Sequence, residues 1–209
     1  MSQVSLALPG VIDVDRSGRE AQDRYYTPAW CVDLVLGLED ERLRVAVAAG
    51  HGVLEPSAGG GALLRGLARA VPNGYRQRVV ACDLDPRPDA HLGFDDVEWR
   101  QGDFLAQTFG PHEFGLAILN PPFASAEAFV RRCREVSRWT LALLRLTFLE
   151  SQERSGWLSS DAPDVFVLSR RPQYYRPTLD TSRGTDSVTS AWMLWGPTPR
   201  AQGRLRVLP

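Results

Sequence analysis

From about Gly52 onward, short β-rich runs alternate with helical ones, and this rhythm constrains the chain more than any other feature. It specifies an α/β domain built on a mostly parallel sheet. Strands are read at 52–55, 78–83, 97–102, 115–120, 141–146, 165–169 and 188–195. Apolar residues recur at three- and four-residue steps over 61–70, 124–139 and 148–158, which predicts helices there. Upstream, 28–38 and 39–49 read as two further helices, the first with Pro28 near its start, where the missing N–H does no harm. Residues 1–24 form a polar, irregular arm, 25–199 a single domain, and 200–209 a C-terminal tail. A Pro- and Arg-containing connection spans 170–187, and loops of that length are usually functional or disordered. Its Arg and Tyr content favours contact with a partner.

Composition narrows the function classes. With 209 residues, 44% of them hydrophobic and 23% charged, the chain has enough apolar surface for one core without disulfide or metal staples. Cys31, Cys82 and Cys133 are scattered with no CxxC pair, a poor disulfide framework that suits a reducing cytoplasm. His51, His91 and His112 are equally dispersed, so no metal site is expected. The stretch TLALLRLTFL is short and interrupted by Arg145, and the amino terminus lacks a basic n-region. Neither a membrane span nor secretion is expected; the expected location is the cytoplasm. A net charge of -1 argues against indiscriminate coating of nucleic acid. The average hides an asymmetry: 1–123 carry 11 Arg against 17 acids, whereas 124–209 carry 13 Arg against 8, so the second half is positive. All 24 basic residues are Arg, the side chain best suited to phosphate and base-edge contacts, although genomic base composition also accounts for missing Lys.

Four segments carry chemistry. The first is Val53-Leu54-Glu55-Pro56-Ser57-Ala58-Gly59-Gly60-Gly61, an apolar strand ending in an acid and a glycine turn that opens a helix. Glycines let backbone approach a ligand closely. Leu64 stands where a dinucleotide fingerprint wants its third glycine, and the Gly-Lys-Ser/Thr of a P-loop is absent. A carboxylate before the turn repels pyrophosphate but suits a ligand bearing an ammonium group and a sulfonium. An ordinary strand-to-helix turn is the competing reading. The second, Val79 to Asp83, is an apolar strand ending in an acid that can accept hydrogen bonds from both hydroxyls of a ribose; Asp85 caps the following turn. In the third, Gly102-Asp103-Phe104, Asp103 either accepts from an adenine amine while Phe104 packs on the ring, or caps a short helix.

The sharpest segment is Asn120-Pro121-Pro122-Phe123, after an apolar strand. The prolines stiffen the backbone and carry no N–H, leaving an acceptor-rich corner. An exocyclic amine conjugated to a ring is a poor nucleophile because its lone pair is delocalised. If its two N–H groups donate to the Asn120 side-chain oxygen and the Pro121 carbonyl, the nitrogen is drawn toward tetrahedral geometry. Phe123 would stack on the flat substrate. A rigid turn in an unrelated α/β fold is the alternative.

In order, Tyr25-Tyr26-Thr27-Pro28, the 55–61 segment, Asp83, Asp103 and Asn120-Pro121-Pro122-Phe123 resemble the class I S-adenosylmethionine-dependent methyltransferases. The pattern is similar in particular to the small phage-type DNA N6-adenine enzymes. The resemblance covers about residues 25–195, including Arg171-Pro172 after the sixth strand and the aromatic strand Ala191 to Trp195. It implies a Rossmann-like fold: a seven-stranded, mostly parallel sheet with a C-terminal antiparallel strand and helices on both faces. It implies S-adenosylmethionine as cofactor, with Tyr26, Thr27 and Pro28 at its methionine end and Glu55, Ala58, Gly59 and Gly61 around its amino-acid portion. Asp83 would hold the ribose, and Asp103 with Phe104 the adenine. Asn120, Pro121, Pro122 and Phe123 would hold the target adenine for direct methyl transfer to N6.

Many adenine enzymes have Asp and Tyr where this chain has Asn120 and Phe123, and the Asn form also occurs in enzymes acting on rRNA guanine or protein glutamine. Methylation of rRNA or glutamine is therefore the second reading, and a non-catalytic subunit of a restriction-modification system the third. Arg170, Arg171, Arg176 and Arg183 are the candidates for DNA phosphate contact, whereas Arg131, Arg132, Arg134 and Arg138 read as a solvated helix face. Trp192 and Trp195 read as core. No separate target-recognition domain fits in 209 residues, so selectivity is expected from loops, in a monomer or weak dimer.

Overall fold

The computed structural model describes residues 27–71, 77–86, 94, 96–172 and 188–209. The arm at 1–24, Tyr25, Tyr26, Arg176 and Arg183 lie outside the described residues.

Helices α1 (Ala29–Leu36) and α2 (Glu41–Val47) precede strand β1 (Val53–Glu55), followed by α3 (Ala62–Ala70), β2 (Val79–Asp83), β3 (Glu98–Gln101) and β4 (Phe114–Leu119). Then come α4 (Ala126–Val136), β5 (Ser137–Arg145), α5 (Gln152–Ser160), β6 (Asp164–Leu168), β7 (Ser190–Trp195) and β8 (Leu205–Leu208). Among the described residues the strands form one sheet in the order β3-β2-β1-β4-β5-β7-β6-β8. β1 pairs in parallel with both β2 and β4, and β4 with β5, while β7 runs antiparallel between β5 and β6.

The central strands are fully buried apolar runs, as expected where helices cover both sheet faces. Alternate residues feed two cores. Val53, Ala81, Leu116, Ile118, Leu141 and Leu143 pack under α1, α2 and α3, while Leu54, Val80, Ala117, Leu119, Ala142 and Leu144 pack against α4. At Gly66 a Cβ would run into the Val32 side chain, so α3 can lie this close to α1 only with glycine there. Trp192 and Trp195 are core residues, as their alternation suggested, and their indole N–H groups donate to the carbonyls of Cys31 and Asp161 at 2.9 and 3.0 Å.

Three boundaries differ from the sequence reading. The helix expected over 124–139 ends at Val136, and β5 begins at Ser137 with no intervening loop. Ser137 Oγ donates to the Cys133 carbonyl at 2.6 Å, and Trp139 is in register with Leu116, so tertiary pairing wins over local periodicity. The helix expected over 148–158 is split: a 3-10 turn spans Leu146–Leu149, and α5 starts only after Ser151, whose hydroxyl accepts from the Arg154 N–H. Residues 205–208, read as part of a tail, add an eighth strand beside β6. That strand is anchored where Arg42, Arg200 and Arg204 converge on the buried carboxylate of Asp164.

Candidate functional site

The strand order reverses between β2-β1 and β4-β5, and the C-terminal ends of strands at such a reversal open a crevice. The segments leaving β1, β2 and β4 meet there, which is how motifs far apart in the chain become neighbours. The Ala58 N–H donates to the Cys82 carbonyl at 2.9 Å, and the Gly59 N–H to Asp83 Oδ2 at 2.7 Å. Asp83 Oδ1 accepts from the Asp85 N–H at 3.0 Å, so one half-buried carboxylate braces both turns. Gly59 has φ +52° and open space where a Cβ would stand, leaving room beside the backbone for a ligand. Gly61 caps α3 in a left-handed conformation.

Glu55 lies beneath this turn, only 1% exposed. Burial pushes its carboxyl well above the usual carboxylate range and the Asp83 charge adds to the rise, against a hydrogen bond from the Leu64 N–H and the charge of Arg65. Its Oε2 is buried with no hydrogen-bond partner among the described residues.

The Asn120 amide nitrogen donates to Thr27 Oγ1 at 2.9 Å, tying the corner to the segment that leads into α1. Ser57 Oγ donates to the Asn120 carbonyl at 3.1 Å, tying the corner to the glycine turn. The Pro122 carbonyl accepts from the Ser125 N–H at 3.0 Å as the 3-10 turn Phe123–Ser125 begins. Two acceptors remain without a partner among the described residues: Asn120 Oδ1 and the Pro121 carbonyl. Both belong to a segment that proline makes rigid.

Around this corner, several expected residues sit differently from the sequence reading. Phe123 carries the Arg145 guanidinium over one ring face, 3.8 Å from its centroid, so that face is not open to a flat ligand. Phe104, expected on an adenine ring, is 2% exposed and packs with Phe109 and Phe129. Phe104 is the one buried residue of a 3-10 turn whose other two residues are exposed, while Asp103 caps that turn by accepting from the Leu105 N–H at 2.9 Å. Exposed apolar side chains at this end are instead Leu84, directly after Asp83, and Leu105, directly after Phe104. A signal for Leu84 existed in the sequence: an apolar residue following a strand-end acid.

Pro28 starts α1, and Arg170 lies over the ring of Trp30 on that helix, 4.8 Å from the centroid. Arg171 is exposed beside it. On α4, Arg131 and Arg132 pair with Glu127 and Glu135 on the helix itself, whereas Arg134, read as part of the same solvated face, is largely buried against Asp161 at the end of α5, and Arg138 lies in β5 because the helix stops at Val136.

Among the described residues no group of three His, Cys, Asp or Glu side chains could hold a metal, and no helix is long and apolar enough to cross a membrane. The three thiols are buried; desolvation pushes those of Cys31 and Cys82 up to about 12, with the Arg170 and Arg100 charges pulling weakly the other way.

No family model and no curated protein matches the sequence. Solved structures do resemble the fold. A Listeria monocytogenes protein assigned to the class I S-adenosylmethionine-dependent methyltransferases superposes with a TM-score of 0.61 at 13% identity, over 87% of this chain and 65% of that one. A modification subunit assigned to a type I restriction enzyme of Vibrio vulnificus YJ016 gives a TM-score of 0.59 at 14% identity, over 85% of this chain and 45% of that one. A type I restriction-modification methyltransferase subunit from Streptococcus thermophilus gives 0.55 at 15% identity, over 84% and 45%. The chain thus spans under half the length of the two restriction-system subunits. Strand order, the antiparallel β7 and these superpositions together make this a class I methyltransferase fold, Rossmann-like with an extra edge strand.

Proposed function

We propose that this chain transfers a methyl group from S-adenosylmethionine to the exocyclic N6 amine of adenine in DNA. The observation that carries the reading is the hydrogen-bond accounting at the corner. With the Asn120 and Pro122 carbonyls and the Asn120 amide nitrogen already engaged, Asn120 Oδ1 and the Pro121 carbonyl are the acceptors of 120–122 left without a partner among the described residues, matching the two N–H groups of one amine.

The residues present fit the cofactor. The open space at Gly59 is a cradle that a Cβ would fill, and it would take the amino-acid portion, with Ala58 and Gly61 completing the turn. Asp83 would accept from ribose hydroxyls with the lone pairs its two backbone bonds leave, and Asp103 from the adenine amine. Leu84 would cover the adenine in place of the buried Phe104. Thr27 and Pro28, with Tyr26 before them, would border the methionine end. When bound, S-adenosylmethionine supplies an electrophilic methyl group on a sulfonium.

Asn120 and Pro121 hold the substrate amine by both hydrogens and so pull its lone pair out of conjugation. Positioning of this kind is worth up to roughly 7–11 kcal/mol of barrier in favourable cases. The proton leaves the amine nitrogen for solvent after transfer, so no general base is assigned. A target in duplex DNA must be flipped out at a cost of about a few kcal/mol. The exposed Arg170 and Arg171, with Arg176 and Arg183, would offset that cost through phosphate contacts.

The test is mass spectrometry of nucleosides from cells expressing the chain, with Asn120→Ala as control. N6-methyladenine in DNA with the unmutated chain alone is the expected result. Unchanged DNA with methylated rRNA or protein would overturn it.

A further inference from the structure

Seven arginines among the described residues lie over an aromatic ring, and they divide sharply. Five of them also hold a carboxylate: Arg42 with Asp164, Arg78 and Arg100 with Glu98, and Arg131 and Arg154 with Glu127. The two without a carboxylate partner among the described residues are Arg145 and Arg170. Both lie at the C-terminal edge of the sheet. Arg145 ends β5, the strand beside β4, and Arg170 follows β6.

Arg145 is the more informative of the two. It is half-buried, and its Nε is buried without a hydrogen-bond partner among the described residues. Along β5, Leu141 and Leu143 face the α1 side of the sheet, and Arg145 continues that alternation. Along β4, Leu116 and Ile118 face the same side, and Asn120 follows them to reach Thr27. Arg145 therefore shares the face of the acceptor corner, with its guanidinium 3.8 Å from the Phe123 ring centroid. A half-buried cation without a counterion among the described residues is costly to maintain, and stacking on a ring only partly offsets that cost. The ring also pre-orients the guanidinium fork, whose donors match phosphate geometry.

We propose that Arg145, braced on Phe123, is a substrate-positioning residue that holds the phosphate of the target nucleotide at the acceptor corner. This rests on the methyl-transfer reading above and deepens it: the corner is built for a nucleotide within a nucleic-acid strand, not for a neutral glutamine side chain. Phe123 then acts through Arg145 as a brace, which explains why one of its faces is already occupied. The target base stacks on the outer face of the guanidinium plane, a surface that receives unstacked bases as an aromatic ring does.

The experiment measures binding of oligodeoxyadenylate across a salt series, together with calorimetry of S-adenosylmethionine, for the full chain, Arg145→Gln and Arg145→Lys. Loss of one phosphate contact lowers the slope of log affinity against log salt by about 0.7 on a single strand. Loss of a charge-assisted hydrogen bond weakens binding roughly ten- to hundred-fold. Arg145→Gln should show both losses and keep cofactor affinity; Arg145→Lys should keep the slope and lose affinity, since it carries the charge without the planar fork. A slope unchanged in Arg145→Gln overturns the proposal while leaving methyl transfer standing. If the unmutated chain binds the cofactor but not the oligonucleotide, and methylates a glutamine-containing peptide, the nucleic-acid reading falls and this proposal with it. Should Arg145→Gln fail to fold, the unmutated chain is compared on a thymidine oligonucleotide holding one adenine, with the phosphate of that nucleotide either ordinary or replaced by a neutral methylphosphonate. Equal affinity for the two overturns the contact at the target phosphate, and a marked loss on the substituted strand supports it.

Discussion

The bond from the Asn120 amide nitrogen to Thr27 Oγ1, 2.9 Å long, is the one side-chain contact among the described residues that would fix which end of the Asn120 amide faces the proposed substrate. Thr27→Val removes the hydroxyl and keeps the shape of a side chain that is 8% exposed. The net value of such a bond is about 1 kcal/mol, and leaving a donor without a partner costs roughly 1–3 kcal/mol. Without Thr27 Oγ1, the amide can rotate and present its NH2 to an amine that itself needs acceptors. The expected fall in kcat/KM is therefore roughly five- to hundred-fold, with stability lowered by about 1–2 kcal/mol. Thr27→Ser restores the hydroxyl and should recover most of the activity. The assay is transfer of a radiolabelled methyl group to DNA, with thermal melting run in parallel. If Thr27→Val keeps full kcat/KM while Asn120→Ala is inactive, the hydroxyl does not orient the amide and the accounting at the corner is wrong.

Four further outcomes are expected. Gly59→Ala forces a left-handed alanine at a cost of about 1–2 kcal/mol and places a methyl group in the open cradle, so calorimetry should show cofactor affinity at least tenfold weaker in a chain that still folds; unaltered affinity would rule out the cradle. Burial alone would raise the Asp164 carboxyl, but its bonds to Arg204 and Arg200 hold it below the usual carboxylate range. Its contribution is therefore complete above its unfolded value and disappears as pH falls through the lower folded value; Asp164→Asn should cost about 3–5 kcal/mol near neutral pH and flatten the acid limb of a melting profile, and parallel acid limbs would contradict this. Glu55 has the opposite sign: its raised folded value means that folding is penalised increasingly as pH climbs past the usual carboxylate range, so Glu55→Gln should gain stability relative to the parent as pH rises, a trend that melting against pH would expose or refute. The buried thiols of Cys31, Cys82 and Cys133 should react with a disulfide reagent only on unfolding, and rapid labelling of the native chain would contradict their burial.

Much of the fold was readable from residue order. β1 and β2 are apolar runs ending in Glu55 and Asp83, and β4 is one that Asn120 follows; short apolar runs of this kind, alternating with helices, are what a buried parallel sheet requires. The glycine turn and the two prolines were equally legible, because glycine and proline act on the backbone locally. Arg145 was not legible. In sequence it interrupts the apolar stretch TLALLRLTFL, and nothing local distinguishes a disruptive charge from one facing a site. Its role depends on the parity of β5 and on the ring of Phe123 arriving from another segment. Phe104 was misplaced for the same reason: an aromatic residue after a strand-end acid fits a ligand pocket or a core, and packing against Phe109 and Phe129 made the choice.

By itself, the sequence determined which segments become the strands from β1 to β7, where their chains turn, and that the segment after β4 is poor in donors. These are consequences of hydrophobic run length and of backbone chemistry confined to a few neighbouring residues. The tertiary structure decided that β1 lies between β2 and β4, so that Ser57 and Thr27 both reach Asn120. It also decided that β5 starts without a loop and that residues 205–208 become an edge strand. Those outcomes depend on pairing between residues far apart in the chain, whose free energy is paid only when the whole sheet assembles.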